Sequence, residues 1–197
     1  MRRAKEDAMA TKGVILEAAL RCFAENGFDA SSLEAIARDA AVTRGAVYWH
    51  FKDKKELYRA VVHDALEKAD VVAYAHNLPD SLSYEERLYD VFWYAQSENS
   101  KVDFVYTAVN DAAAKNEFKD LYEAIQLEKV KLYRYFVEET RIHIKLNQIQ
   151  SLDAEIYASD LFLLFEGMFF TKQMAVGISR KRTDIEQYVR LIIKDLI

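Results

Sequence analysis

Five glycines and one proline in 197 residues leave this chain too few chain-reversing residues for a many-stranded sheet, which needs them at nearly every turn. Long helices are the architecture open to it, and the class read from this is all-α. With 51% hydrophobic and 13% aromatic residues the chain has apolar surface for one or two compact cores, which excludes a disordered protein. A single cysteine, Cys22, excludes an intrachain disulfide framework and a structural zinc site, and its place on a helical apolar stripe reads as packing. The basic opening RRAK has no apolar stretch behind it, and the longest strongly apolar run, Leu161 to Phe165, is far short of a membrane span. A cytoplasmic protein without a membrane partner is expected.

The formal net charge of -5 argues at first against a nucleic-acid partner, but its distribution matters more. Residues 1–60 hold 11 basic against 9 acidic residues, a balance of +2, whereas residues 61–197 hold 16 against 23, a balance of -7. The N-terminal third is electrostatically distinct.

Helical spacing of Val14, Ile15, Ala18, Ala19, Cys22 and Phe23 predicts a first helix from Thr11 to Asn26, with Gly27 at its C-terminus. Ser31 or Ser32 caps a short second helix to about Ala40, with Glu34 placed for a capping box from Ser31. Thr43 caps a third, through about His50, and Asp53 with Glu56 opens a long fourth through Ala65. Asn77, Pro79 and Asp80 form the one proline-containing break, which places a boundary between Ala73 and Ser83. Further helices are expected from Ser83 to Ser97, Val102 to Ala113, Glu117 to His143 and over residues 153–176. A last one, capped by Thr183 with Glu186, runs from Asp184 to the C-terminus.

The second and third helices, IARDAAVTRGAVYWHF, are joined by a tight turn at Ala41 to Thr43, and Ile36, Ala37, Ala40, Val42, Val47 and Phe51 are available to pack them together. This leaves Arg44, Gly45, Ala46, Tyr48, Trp49 and His50 outward, the face that a recognition helix presents to a major groove. Small residues there permit close approach and polar ones read base edges or phosphates.

These residues, VTRGAVYWHFKDKKEL after SSLEAIA and the opening RRAKEDAMATKGVILEAALRCF, resemble the TetR family of bacterial transcriptional regulators over residues 2 to about 60. They look most like its AcrR-like branch of multidrug-efflux repressors. The resemblance implies an N-terminal helix-turn-helix domain over 1–56. Through a long fourth helix this is joined to a helical ligand-binding and dimerisation domain over 57–197, about nine helices in all. It places Ser32, Thr43, Arg44, Gly45, Ala46, Tyr48, Trp49, His50, Lys52 and Lys54 at operator DNA, with Arg44 on a base edge, Tyr48 and His50 on phosphates and Trp49 against the groove. Lys54 at the start of the fourth helix adds its charge to the helix dipole. One departure stands out: the family usually has Gly where this chain has Ala41, and a left-handed Ala there costs about 1 kcal/mol.

In the C-terminal part, LFLLFEGMFF is apolar almost all round, so a second partner must cover what the helix's own core does not. The resemblance supplies a second copy of the chain, in a two-fold bundle that spaces two recognition helices along the duplex. Leu161, Phe165, Phe169, Tyr188, Leu191 and Ile192 are the residues expected at that seam. Among the many aromatic residues a subset is expected to line an inducer pocket, made of Phe92, Trp93, Phe104, Phe136, Phe162 and Phe170 with Gln96, Asn110 and Glu166 as its polar groups. The expected function is a ligand-released repressor of an efflux operon.

No phosphate loop, nucleophile elbow or HExxH pair is present, and His50, His63, His76 and His143 are scattered, so neither an enzyme nor a metal or cofactor site is expected. Two alternatives remain open. One is a related regulator of a metabolic or lipid gene, the other a helical small-molecule carrier without DNA binding, against which only the reading head speaks.

Overall fold

The computed structural model describes the backbone of residues 2–96, 101–106, 108, 116–146, 153–173 and 181–193, and every regular element among them is helical. In chain order these are α1 (Arg2–Ala30), α2 (Leu33–Asp39), α3 (Arg44–His50), α4 (Lys54–Lys68), α5 (Val71–His76) and α6 (Tyr84–Gln96). Then follow α7 (residues 101–106), a 3-10 turn at Asn116–Phe118, α8 (Lys119–Lys145), α9 (Ala154–Gln173) and α10 (Arg182–Ile193). The chain divides into two compact units, Met1–Lys68 with Phe104–Glu123, and Ala69–Asp103 with Ala124–Ile197.

The first unit is built on α1, whose buried stripe of Ile15, Ala18, Ala19 and Phe23 packs on Leu57, Tyr58, Val61, Val62 and Ala65 of α4. Regular α-helix ends near Asn26, as expected. At Gly27 φ is 74° and ψ 173°, a combination open essentially to glycine alone, and one more helical turn follows to Ala30. The Ser31 hydroxyl, buried beneath this kink, bonds the Gly27 carbonyl at 2.7 Å and the Cys22 carbonyl at 3.1 Å. Phe28, Tyr58 and Phe118 then meet with ring centroids 4.9–5.0 Å apart, which seats the 3-10 turn in this unit's core. The RRAK backbone belongs to α1.

Both helices of the helix-turn-helix are stopped and started by their own residues. Ser32 caps α2 by accepting from the Ala35 amide at 3.1 Å, and Thr43 caps α3 by accepting from Ala46 at 3.1 Å. Between them the Val42 amide donates to the Ala37 carbonyl and the Ala41 amide to that of Arg38, the paired bonds of a Schellman stop. Ala41 takes the left-handed position at φ 53°. Ile36, Ala37, Ala40, Val47 and Phe51 are buried at the α2–α3 junction, while Val42 is half-buried. Asp53 accepts from the Glu56 amide at 2.8 Å to open α4, and the Glu56 carboxylate returns to the Lys52 amide at 2.9 Å.

In the second unit α6, α8 and α9 meet around Phe92, Phe136 and Phe165, whose centroids lie 5.4–6.2 Å apart. The box of Ser83 with Glu86 forms as read, with reciprocal bonds of 2.9 and 3.3 Å. α10 lies along α6 through Arg182 to Asp90 at 2.7 Å and Arg190 to Glu85 at 3.2 Å. One helix was not foreseen and one boundary differs from expectation. α4 stops at Lys68, and Asp70 caps a separate α5 by accepting from Ala73 at 2.8 Å. α10 begins at Arg182, so Thr183 already lies in the helix and Glu186 pairs with Arg182 at 3.3 Å instead of closing a box. The helix expected over 102–113 is described only as far as residues 101–106 and 108.

Candidate nucleic-acid interface and the C-terminal core

Of the seven residues of α3 only Val47 is buried, and it anchors the helix to α2. Trp49 is 71% exposed and Tyr48 45%, while Arg44 and Gly45 are exposed and Ala46 and His50 half-buried. Large rings left outside a closed core, on a helix this short, mark a face built to be covered. A Cβ on Gly45 would meet nothing closer than the Thr43 hydroxyl at 3.8 Å, so the fold itself tolerates a side chain there. Trp49 and His50 stack edge to face with centroids 4.5 Å apart. His50 is held below its ordinary pKa, first by burial and then by the charge of Lys12, so it is neutral at pH 7.

Arg44 is engaged at both terminal nitrogens. Nη1 lies 2.5 Å from Glu34 Oε1 on α2, Nη2 donates to the Tyr48 hydroxyl at 3.3 Å, and the guanidinium carbon sits 5.3 Å from the Tyr48 ring centre. The Tyr48 hydroxyl first and the Glu34 charge second raise its pKa above an already high ordinary value. The sequence placed Glu34 in a capping box with Ser31; the structure corrects this, because Ser31 turns inward and Ser32 is the cap.

Lys54 is a second correction. Its ammonium donates to the carbonyls of Phe28 at 2.7 Å, Ser31 at 2.9 Å and Asp29 at 3.2 Å, and lies 4.4 Å from the Phe28 ring centre. An ammonium has three protons, and all three close the end of α1, so none is left for a phosphate. Lys52 is exposed, whereas the hydroxyls of Ser32 and Thr43 are occupied as caps.

The expected pocket residues do not come together as one lining. Phe104 lies in the first unit, 6.1 Å from the Tyr58 ring, whereas the other described members lie in the second. Phe170 is exposed, so it lines no interior, and Phe92 and Phe136 are close-packed core. Trp93, Phe162 and Glu166 are half-buried, Phe162 against Tyr133 and Glu166 in an ion pair with Lys129. Gln96 is only 4% exposed, and its Nε2 has no hydrogen-bond partner among the described residues. Asn110 and the side chain of Ile192 lie outside the described residues. The sequence reading did not single out Arg87, which is buried, donates to the carbonyls of Ala75 and Pro79, each at 3.2 Å, and lies 3.6 Å from Glu139. His143 sits 3.4 Å from the same carboxylate.

The expected seam is corrected by one face of α9. Leu161, Phe165 and Phe169 are closed by the protomer's own core, together with Tyr157, Ala158 and Met168. Ile156, Leu163 and Phe170, spaced seven apart with Asp160 and Gly167 between, form the opposite stripe and are between 63% and 67% exposed. On α10, Ile185 and Val189 are buried, Tyr188 is half-buried and Leu191 is 70% exposed. No helix among the described residues is long and apolar enough to cross a membrane, and no cluster of metal-binding side chains occurs among them.

Comparison with known proteins bears on both halves. The chain is 44% identical over 82 residues to the probable HTH-type transcriptional regulator ArpR of Pseudomonas putida, covering 42% of this chain and 39% of that protein. It is 48% identical over 60 residues to the HTH-type transcriptional regulator AcrR of Shigella flexneri, covering 30% and 28%. The matched stretch is thus well under half of either relative. Over nearly the whole length the fold is that of the TetR family transcriptional regulator PfmR from Thermus thermophilus, with a TM-score of 0.70, 18% identity, and 91% of this chain and 97% of that chain covered. Residues 15–61, from the middle of α1 into α4, match the family described as bacterial regulatory proteins, tetR family, and it is over this N-terminal stretch that the chain is similar to that family.

Proposed function

We propose that the protein is a homodimeric transcriptional repressor that binds a palindromic operator through α3 and leaves it when a small apolar or aromatic inducer binds the C-terminal part. The observation that carries this reading is the exposed face of Arg44, Tyr48 and Trp49 on a helix anchored by one buried residue. In this reading residues 1–56 are the reading head, with Thr43, Arg44, Gly45, Ala46, Tyr48, Trp49, His50 and Lys52 at the DNA. Residues 57–197 provide effector binding and dimerisation. The exposed stripe Ile156, Leu163 and Phe170 with Leu191 supports a two-fold seam, since a heptad-spaced apolar face is the pattern that pairs helices. The buried Gln96 Nε2, without a hydrogen-bond partner among the described residues, supports an inducer carrying a hydrogen-bond acceptor. The regulated gene is that of an efflux pump, on the resemblance of the N-terminal domain to that branch.

Release requires that inducer bind the released geometry better than the DNA-bound one: a hundredfold loss of DNA affinity takes about 2.7 kcal/mol of differential binding, a feasible coupling for one site. The test is a mobility-shift titration of the purified protein on DNA immediately upstream of its own gene and its neighbours, across a salt series, beside Arg44→Ala and Leu163→Glu. Selective binding that weakens steeply with salt, is lost in Arg44→Ala and loses its dimer stoichiometry in Leu163→Glu is the expected result. Binding that ignores sequence, or none to any such fragment, would bring the carrier reading to the front.

A further inference from the structure

The contact between Arg44 and Glu34 joins the two helices of the reading head. Glu34 stands in the first turn of α2, where the helix dipole favours a carboxylate, so its position is set by α2 and does not depend on DNA. Both side chains are more than half exposed, 58% for Arg44 and 60% for Glu34, and an exposed pair of this kind adds little to stability. A carboxylate at this place also weakens attraction to a polyanion.

What the pair does change is the freedom of the arginine. A long side chain loses rotamer freedom on docking and, if unrestrained, reaches whichever phosphate is nearest. Held by Glu34 at Nη1 and by the Tyr48 hydroxyl at Nη2, the guanidinium keeps its remaining donors in one direction. Turning it toward a phosphate breaks the pair and leaves the carboxylate facing like charge, a cost that falls on every sequence-blind mode of binding. We infer that Glu34 is a positioning residue that determines specificity, holding Arg44 to a base edge and disfavouring non-cognate DNA. The inference rests on the DNA-binding reading proposed above.

The test compares wild type, Glu34→Gln, Glu34→Asp, Arg44→Ala and the Glu34→Gln/Arg44→Ala pair by fluorescence anisotropy. The probes are a duplex selected by the wild-type protein from a randomised library and a scrambled duplex of the same length. Glu34→Gln is expected to bind the scrambled duplex more tightly and to lower the selected-to-scrambled affinity ratio about tenfold. In the Arg44→Ala background the same change raises both affinities alike and leaves the ratio where it was. Glu34→Asp keeps the charge in the first turn of α2 but withdraws it by one methylene, and is expected to lose part of the ratio; a role limited to the helix dipole predicts full retention. A wild-type ratio in Glu34→Gln, or an equal fall with and without Arg44, overturns the inference. If the library yields no preferred duplex for the wild-type protein, the DNA-binding reading fails before this one is reached.

Discussion

Replacing Ala41 by glycine should make the protein more stable, although glycine is ordinarily the less stabilising residue. Ala41 stands at φ 53° as the left-handed residue that ends α2, exposed, with its amide bonded to the Arg38 carbonyl and the next amide to that of Ala37. An L-residue with a Cβ pays about 1–2 kcal/mol in that conformation, because the Cβ crowds the following carbonyl oxygen. Glycine relieves this cost but returns about 0.4–1 kcal/mol of backbone freedom to the unfolded chain. The net is a gain of about 0.5–1 kcal/mol. For a chain of this length each kcal/mol moves the midpoint by roughly 2–4 °C, so Ala41→Gly should raise Tm by about 2–3 °C in a thermal melt followed by helical circular dichroism. Ala35→Gly, inside α2, is the matched control: the same atoms are removed where φ is helical, and stability should fall by about 0.5–1 kcal/mol. If both variants fall together, Ala41 stores no strain and the turn has relaxed in some other way.

Lys54→Met should cost about 1–3 kcal/mol in urea unfolding, because three carbonyls at the end of α1 lose their donor, while the slope of log affinity against log salt on DNA stays unchanged. Lys52→Ala should do the reverse, reducing that slope by about 0.9 with little change in stability. Phe118→Ala should destabilise the first unit by about 3–5 kcal/mol, since its fully buried ring fills the space between Phe28 and Tyr58; a neutral result would refute its place in the core. The lowered pKa of His50 means that the native state prefers the neutral ring. Its contribution to stability is therefore complete above the ordinary value of 6.5 and is lost as pH falls through 6.5 and the lowered native value. Affinity for DNA should move the other way, rising from pH 8 to 6 as a phosphate draws a proton onto the ring, and His50→Gln should flatten the difference between the two pH values.

The parts of this fold that were legible in the sequence are those decided within a few residues. Caps at Thr43, Asp53 and Ser83, the end of regular helix near Gly27 and the outward face of α3 each follow from short-range hydrogen bonding or from a period that leaves one side polar. Ser31 and Glu34 show where such reasoning stops. Either of two adjacent serines satisfies the capping pattern, and what selected Ser32 was the kink at Gly27, which turned Ser31 onto the carbonyls of α1 and left Glu34 for a residue ten positions away. Lys54 fails for the same reason: a lysine at a helix start suits a phosphate as well as the carbonyls of a helix end brought there by tertiary folding.

α9 is the clearest case, because its sequence lacks the information that the reading required. A helix with one apolar face announces which side is inward, but LFLLFEGMFF is apolar on nearly every side, so no direction within it is preferred over another by burial alone. The choice is made by what α9 packs against. Phe92 of α6 and Phe136 of α8 meet Phe165, and once that contact is set the period of 3.6 carries Tyr157, Leu161, Met168 and Phe169 inward with it. The complement follows by geometry alone: Ile156, Leu163 and Phe170 must then point away from the core, about two helical turns apart, on one line. The expectation that α9 has two apolar faces to cover therefore stands, while the residues assigned to the second face were those of the first. A single pair of variants separates the two assignments. Leu161→Ala should cost about 2–5 kcal/mol of protomer stability and leave association intact, whereas Leu163→Glu should leave the protomer's core intact and abolish association in sedimentation. If Leu163→Glu still sediments as wild type does, the exposed stripe is not the seam.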